Sequence, residues 1–181
     1  MADVDNLCLM SVNCTDCLMQ EPMPFNKKWY SNKLNGPGVR YELCVCVMTG
    51  WIVSVNGWFP CGQWPDKKIA KIGIEKKMED WERCIADRGY TNVMSRAWTP
   101  DDDFLQNVAQ VTGHVSRGVV RARHEGINSA LKKFKAFSMP WRHPRLKHET
   151  TCKAILNLIQ IGIMNGEITF QVDYEEEEIY V

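Results

Sequence analysis

Apolar positions in the first third of this chain fall into short runs that predict β-strands. The run at 7–13 is suited to a strand buried on both faces. Two β-rich runs at 39–49 and 51–57, joined at Gly50, predict a hairpin that "GWFPCGQWP" then interrupts. Between the first run and the hairpin, the stretch 15–38 is rich in proline, glycine and polar residues, which predicts mostly loop.

The rest of the chain alternates helical patterns with brief strands. Pro65 and Asp66 predict a helix start, and "RCIAD" (83–87) predicts a buried strand that ends at Asp87. Further along, the pattern predicts a capped helix at 99–111 and two long helices at 117–137 and 147–164. It predicts an edge strand at 167–174. In the helix at 117–137 the residues expected to face the core are Val120, Ile127, Ala130, Leu131 and Phe134. This order predicts an α/β fold, a mixed sheet flanked by helices.

Composition adds a local charge pattern to this picture. The 181 residues carry 22 Lys plus Arg and 22 Asp plus Glu, so net charge indicates no partner. The length predicts one domain, which we assign to 1–174, with an acidic C-terminal tail at 175–181. The segment between His114 and His148 contains nine basic residues and one acidic residue, Glu125. A basic surface of this kind can hold a polyanion inside a neutral protein.

Cysteine usage and targeting signals indicate an intracellular protein. No signal peptide precedes the first strand, and the longest apolar run is too short to span a bilayer, so we expect no membrane association. Most of the eight cysteines lie in apolar runs, which favours buried free thiols over disulfides. Cys14 and Cys17 have the C-x-x-C spacing of zinc and redox sites. Neither site is favoured, because no further pair has ligand spacing and prolines follow instead of a helix.

Three polar positions at strand ends or in the basic helix could form a metal site. Asp87 closes a strand, Glu125 is the lone acid of the basic helix, and Asn13 ends the first strand where a carboxylate would complete a cluster. Carboxylates bind Mg²⁺ or Mn²⁺, and two such ions can support phosphodiester chemistry. The plainer alternatives are a turn residue for Asp87 and a salt bridge for Glu125.

The motifs "NCTDCLMQEP", "CIADRGY", "RARHEGINSALKKF" and "NGEITFQVDY" occur in the order and spacing of a known family. From about Leu9 to Tyr174 the chain resembles the catalytic domain of DDE-superfamily transposases, most closely the Harbinger-like endonucleases. The resemblance implies a ribonuclease-H-like fold, DNA as partner, a two-metal site for Mg²⁺ or Mn²⁺, and a nuclear location. It also implies a homo-oligomer or a separate DNA-binding subunit, since the family's DNA-binding region has no counterpart here.

The resemblance also assigns roles to individual residues. The family's second catalytic Asp falls on Asp87, its Glu on Glu125, and a supporting Asp on Asp66. Its first catalytic Asp falls on Asn13, because "Asn-Cys-Thr-Asp" stands where the family has an Asp-led motif. A neutral amide cannot offset the charge of two dications or bridge them, so we expect metal-dependent activity to be impaired.

Two functions follow from these residues. The first is a transposase-derived domain for divalent-metal-dependent DNA cleavage and strand transfer, weakened by Asn13. The second is a catalytically inactive module that binds DNA or protein on the same scaffold. The residues expected to bind DNA phosphates are Arg117, Arg121, Arg123, Lys132 and Lys133. The aromatic residues Trp58, Phe59 and Trp64 either stack on a base or, more commonly for tryptophan, pack the hairpin.

Overall fold

The structure is a computed structural model that describes residues 7–47, 49–90, 97–98 and 117–166. Its strands are β1 (Leu7–Leu18), β2 (Tyr30–Ser31), β3 (Gly36–Cys46), β4 (Ile52–Pro60), β5 (Glu82–Ala86) and β6 (Ala97–Trp98). Its α-helices are α1 (Asp66–Ile72), α2 (Arg117–Lys132), α3 (Lys135–Ser138) and α4 (Arg145–Met164). Short 3-10 turns occupy Lys27–Trp29, Ile74–Lys76 and Arg88–Tyr90.

The strands form one mixed sheet with β1 at its centre. β1 pairs antiparallel with β3, which pairs antiparallel with β4 and, near its start, with β2. On its other side β1 pairs parallel with β5, and β5 pairs parallel with β6. The protein therefore has the expected α/β fold, a mixed sheet flanked by helices. The strand order is compatible with a ribonuclease-H-like arrangement.

Alternating side chains divide the sheet into two buried faces. On one face Cys17, Val39 and Leu43 pack against residues of α2, α3 and α4, and we call this the three-helix face. On the other face Val12 and Cys44 pack with Ala70 and Ile74 from α1 and the turn that follows it. We call this second surface the one-helix face. Burial on both sides explains why apolar residues follow one another at 43–45 of β3.

Several predicted boundaries were wrong, and β1 shows the clearest reason. β1 does not end at Asn13 but continues to Leu18, so much of the stretch predicted as loop is strand. The polar residues of "NCTD" remain in the strand because β3 pairs with them throughout, as far as Leu18 opposite Gly38. Register shifts likewise let β4 continue through Gly57 to Pro60, beyond the predicted break.

The helical boundaries also differ from the prediction. α2 ends at Lys132 because Phe134 has an extended backbone, so the segment that ends at Phe137 is two helices. Ile127 and Leu131 face the core as expected, whereas Phe134 is exposed. α4 begins at Arg145, two residues early. The predicted helix at 99–111, the predicted strand at 167–174 and the side chain of Val120 lie outside the described residues.

Candidate functional site

The parallel pairing of β1 and β5 brings Asn13 and Asp87 to neighbouring positions. Val12 lies opposite Ala86 in this register, and Asn13 and Asp87 are the next residues on their chains. Adjacent strands of a sheet are about 4.8 Å apart. Asn13 is thus the first residue of β1 beyond the end of β5, although it lies in the middle of its own strand. The two residues therefore lie side by side where the parallel part of the sheet ends.

The side chain of Asn13 already has a structural role in β1. Its Oδ1 accepts a hydrogen bond of 2.8 Å from the backbone N–H of Cys14. β5 has ended at this level, so the amide oxygen takes an N–H that lacks a strand partner on that side. An unpaired N–H in a part-buried strand is costly, and a side-chain acceptor relieves that cost. A carboxylate at this position could accept the same bond.

Asp87 is half-buried and begins a turn. Its Oδ1 accepts a hydrogen bond of 2.8 Å from the backbone N–H of Gly89. Asp commonly accepts from the residue two positions later in turns of this kind. The described contact agrees with the turn role that sequence reasoning kept as the plainer alternative. It involves one oxygen of the carboxylate, Oδ1.

Helix α2 carries Glu125 across the three-helix face, which is the face of Asn13. The adjacent residue His124 is buried, and its Nδ1 lies 3.1 Å from Oγ of Ser11, two residues before Asn13 on the same side of β1. Glu125 itself is exposed. Burial lowers the pKa of His124 to about 4, so the imidazole is neutral at physiological pH. Ser11 and His124 therefore hold the middle of α2 against β1.

Asp66 lies on the one-helix side with two cations. Its Oδ1 is 2.6 Å from Nη1 of Arg40, and its Oδ2 is 3.3 Å from Nζ of Lys33. Arg40 is buried and also binds both carboxylate oxygens of Asp16, at 2.6 and 2.8 Å. The structure therefore gives Asp66 an ion-pair role beside Arg40. Its expected role as a supporting group for metals stays a prediction.

The predicted phosphate-binding residues of α2 differ in what their side chains contact. Lys132 and Lys133 are exposed near the end of the helix, as phosphate binding requires. The guanidinium of Arg123 donates to the backbone carbonyl of Val47, so it fastens α2 to the chain just beyond β3. The side chains of Arg117 and Arg121 lie outside the described residues.

The C-x-x-C pair and the aromatic cluster serve packing in this structure. Cys14 lies on the one-helix face, where its Sγ is 3.3 Å from the Tyr90 hydroxyl, whereas Cys17 packs into the core of the three-helix face. Two thiols on opposite faces of a strand cannot bind one metal ion. Trp58 stacks on Trp29 with 5.7 Å between ring centroids, which is the packing role expected for tryptophan in the hairpin.

The carboxylates in the described part of the chain do not fit a pair of dications. Among these residues, no three His, Cys, Asp or Glu side chains are grouped so that they could hold a metal ion. Beside Asp87 the neighbouring strand offers a neutral amide whose oxygen already accepts a hydrogen bond. Two-metal sites depend on carboxylates that offset charge and bridge the ions. The neutral amide of Asn13 is therefore the main misfit.

Sequence reasoning missed two features on the one-helix side. One is the buried network of Asp16, Arg40 and Asp66, whose residues are far apart along the chain. The other is a pocket whose basic lining residues, Lys33, Arg40 and Lys67, come from separate segments of the chain. Each residue is visible in the sequence, but their proximity depends on the fold.

Of the four predicted catalytic residues, the sheet thus brings Asn13 and Asp87 together, and α2 carries Glu125 over the same face as Asn13. Asp66 lies instead with Arg40. Among the helices that the structure describes, none is both long and apolar enough to cross a membrane. No known protein family, curated protein or solved structure matches the chain. Function is therefore inferred from the chain's own residues.

Proposed function

We propose that this is a transposase-derived DDE-type domain, built for divalent-metal-dependent DNA cleavage and strand transfer and impaired by Asn13. The observation that carries the proposal is the parallel register of β1 and β5, which sets Asn13 beside Asp87. The resemblance to DDE transposases assigns these two positions to its first and second catalytic acids. A sheet of different register would have separated them.

Each residue has a distinct part in this proposal. Asp87 supplies a carboxylate at the end of β5, and Glu125 supplies another from α2. With a carboxylate at position 13, the set formed with Asp87 and Glu125 would hold Mg²⁺ or Mn²⁺, which would supply Lewis-acid assistance to phosphodiester cleavage. Asn13 leaves the set one carboxylate short. Lys132 ends the helix that carries Glu125 and Lys133 follows it, where they would contact the DNA backbone.

A second candidate is a catalytically inactive module that binds DNA or protein. It is favoured by the hydrogen bond between Oδ1 of Asn13 and the N–H of Cys14, because this contact gives the amide a use that requires no metal. The exposed lysines of α2 would then bind a polyanion without cleaving it. The two candidates share the scaffold and differ only in what the Asn13 position does.

The decisive experiment compares the protein with its Asn13→Asp variant on supercoiled plasmid in the presence of Mn²⁺. We expect nicking by the variant and little or none by the parent, because the substitution restores the missing charge while preserving the bond to Cys14. The matched control is the double variant Asn13→Asp with Glu125→Gln, which removes one carboxylate from the exposed face of α2. Nicking should disappear in this control.

Outcomes other than this one distinguish the candidates. If the Asn13→Asp variant neither nicks DNA nor binds Mn²⁺, the nuclease proposal is wrong. If both proteins bind duplex DNA with a steep salt dependence and neither cuts it, the binding module is supported. Nicking that persists in the Glu125→Gln control would mean that the activity arises elsewhere, including from a contaminant.

A further inference from the structure

Two lysine-bearing segments that are distant in sequence meet through a backbone hydrogen bond. The backbone N–H of Gln63 donates to the carbonyl of Lys28 at 3.0 Å, which ties the loop before α1 to the 3-10 turn at Lys27–Trp29. Gly62 allows this approach, because a β-carbon there would collide with the carbonyl oxygens of Lys27 and Tyr30. The contact joins the segment that carries Lys27 and Lys28 to the loop that leads into α1, on which Lys67 lies.

Beside this contact is a pocket of about 430 Å³. Residues that line it include Tyr30, Lys33, Arg40, Asp66, Lys67 and Gly89. We call it the lysine pocket. Gly89 is bonded to the side chain of Asp87, so the pocket opens next to one member of the candidate catalytic site. Its position is thus suited to a part of the same ligand that the catalytic site would hold.

The charge of the lysine pocket favours an anion. Arg40 is buried, and Asp16 and Asp66 pair with it directly. Lys33 has a longer contact with Asp66 and a half-exposed side chain, and Lys67 is exposed. Three basic residues of the lining therefore face a single lining acid, which already has two cationic partners. The mouth of the pocket is left with a net positive charge that phosphate oxygens can neutralise.

An aromatic ring at the same mouth distinguishes a nucleotide from a bare anion. Tyr30 lines the pocket and its side chain is partly exposed, at 37%. Stacking of a base on such a ring contributes about 1–3 kcal/mol in proteins that bind single strands. Ser31 is buried behind Tyr30 and donates to Asp16 at 2.5 Å, which fixes the strand that carries the ring. The lysines are suited to bind a phosphate, and the positioned aromatic ring is suited to stack on a base.

We propose that the lysine pocket binds one nucleotide of a nucleic-acid strand, with Lys33 and Lys67 on its phosphates and Tyr30 on its base. This inference rests on the proposed function, since it extends the DNA path from the Asp87 end of β5 to the one-helix side. The lysine pocket is thus a DNA-contact surface separate from α2. The strand would pass from the lysines of α2 on one side of the sheet to the pocket on the other.

The test measures binding of a short fluorescent single-stranded DNA to the full chain by anisotropy across a salt titration. In the double variant Lys33→Ala, Lys67→Ala we expect the dissociation constant to rise about tenfold and the salt slope to fall by about 1.4, at about 0.7 per lost phosphate contact. Tyr30→Leu should weaken binding several-fold with the slope unchanged. The matched control, Lys76→Ala with Lys153→Ala, removes two exposed lysines elsewhere and should bind as the parent does.

The outcomes separate this inference from the proposed function. If Lys33→Ala, Lys67→Ala binds as tightly as the control while a Lys132→Ala, Lys133→Ala variant binds weakly, the pocket proposal is wrong and the DNA-binding function stands. If the pocket variants lose DNA binding and Asn13→Asp does not cut DNA, the pocket proposal is supported and the nuclease proposal is wrong. Competition by inorganic phosphate as effective as by a mononucleotide would overturn the base contact. Thermal unfolding of each variant confirms that it is folded.

Discussion

The two faces of the sheet bury polar groups in opposite ways. The three-helix face buries neutral imidazoles, His124 against Ser11 and His148 against Tyr41, the latter with 2.7 Å between Nδ1 and the phenolic oxygen. The one-helix face buries charge, in the Asp16–Arg40 pair and in Glu42. Buried groups that stay neutral need only hydrogen bonds, whereas buried charges need partners of opposite sign. Stability should therefore respond differently to substitution and to pH on the two sides.

The largest expected effect is the loss of Arg40 from the one-helix face. Arg40→Met leaves the carboxylate of Asp16 buried without its cation, and breaking a buried pair costs about 3–5 kcal/mol of unfolding free energy. Burial alone would raise the pKa of Asp16, but the hydrogen bonds from Arg40 and Ser31 hold it below its ordinary value. Chemical denaturation measures the loss. Lys33→Met, which removes the exposed partner of Asp66, is the matched control and should cost less than about 1 kcal/mol.

A loss below about 1 kcal/mol in Arg40→Met would mean that the ion network does not hold the one-helix face. Adding Asp16→Asn to Arg40→Met should recover part of the loss, because it removes the stranded charge. A double variant less stable than Arg40→Met alone would contradict the role of charge here.

The histidines predict that acid destabilises the three-helix face. Burial lowers the pKa of His124 and of His148 to about 4, from an ordinary value of 6.5. The unfolded chain therefore binds more protons than the folded one between those values, and stability falls as pH drops from 6.5 to 4. Each histidine contributes up to about 3 kcal/mol to this loss. Denaturation at a series of pH values measures it.

His124→Asn should flatten part of the decline in stability between pH 6.5 and 4, since asparagine can still bond to Ser11 and does not titrate. His143→Asn, at an exposed position, is the control and should change the free energy of unfolding little. An unchanged profile in His124→Asn would contradict the buried neutral imidazole.

Glu42 predicts a smaller effect of opposite sign on the one-helix face. Burial raises its pKa to about 6 from an ordinary 4.5, against hydrogen bonds from Ile74 and Asn56. The folded state thus favours the protonated form, and the contribution of Glu42 to stability is lost as pH rises from 4.5 to 6. Glu42→Gln should stabilise the protein at pH 7 by up to about 2 kcal/mol and have little effect below pH 4.5. The exposed Glu79→Gln is the control, and a destabilised Glu42→Gln at pH 7 would contradict the assignment.

The smallest expected effect on the free energy of unfolding is at Asn13, which belongs to the candidate site. Asn13→Ala removes the acceptor for the Cys14 N–H and should cost about 1 kcal/mol, whereas Asn13→Asp keeps it and should be nearly neutral. Denaturant midpoints of the two variants decide this. A loss in Asn13→Asp as large as that in Asn13→Ala would mean that a charge at position 13 is itself unfavourable.

The sequence predicted the fold class well because hydrophobic patterns depend on burial, which is local along each strand or helix. The hairpin, the strand before Asp87 and the core positions Ile127 and Leu131 were predicted on that basis. The end of β1 was not, because pairing with β3 keeps the polar residues of "NCTD" in the strand. Pattern alone does not contain such pairing.

The candidate site shows the same division. Asn13 and Asp87 were identified from predicted strand ends, and the register brings them together although β1 continues past Asn13. Asp66 was assigned by resemblance, and the partner that the structure gives it, Arg40, is 26 positions earlier along the chain. The lysine pocket likewise depends on a backbone contact between segments more than 30 residues apart, which no local signal indicates.

The buried thiols allow the opening of the two faces to be followed separately, because each face has its own cysteines. Cys17 and Cys152 belong to the core of the three-helix face, and Cys44 and Cys84 to that of the one-helix face. Cys17, Cys44 and Cys152 are free thiols, and burial raises the pKa of each. An alkylating reagent can reach them only when the structure opens. The rate at which each thiol is modified therefore reports how fast its own face of the sheet opens. Mass spectrometry of a labelling time course would therefore reveal whether the sheet loses both coverings at once or one before the other.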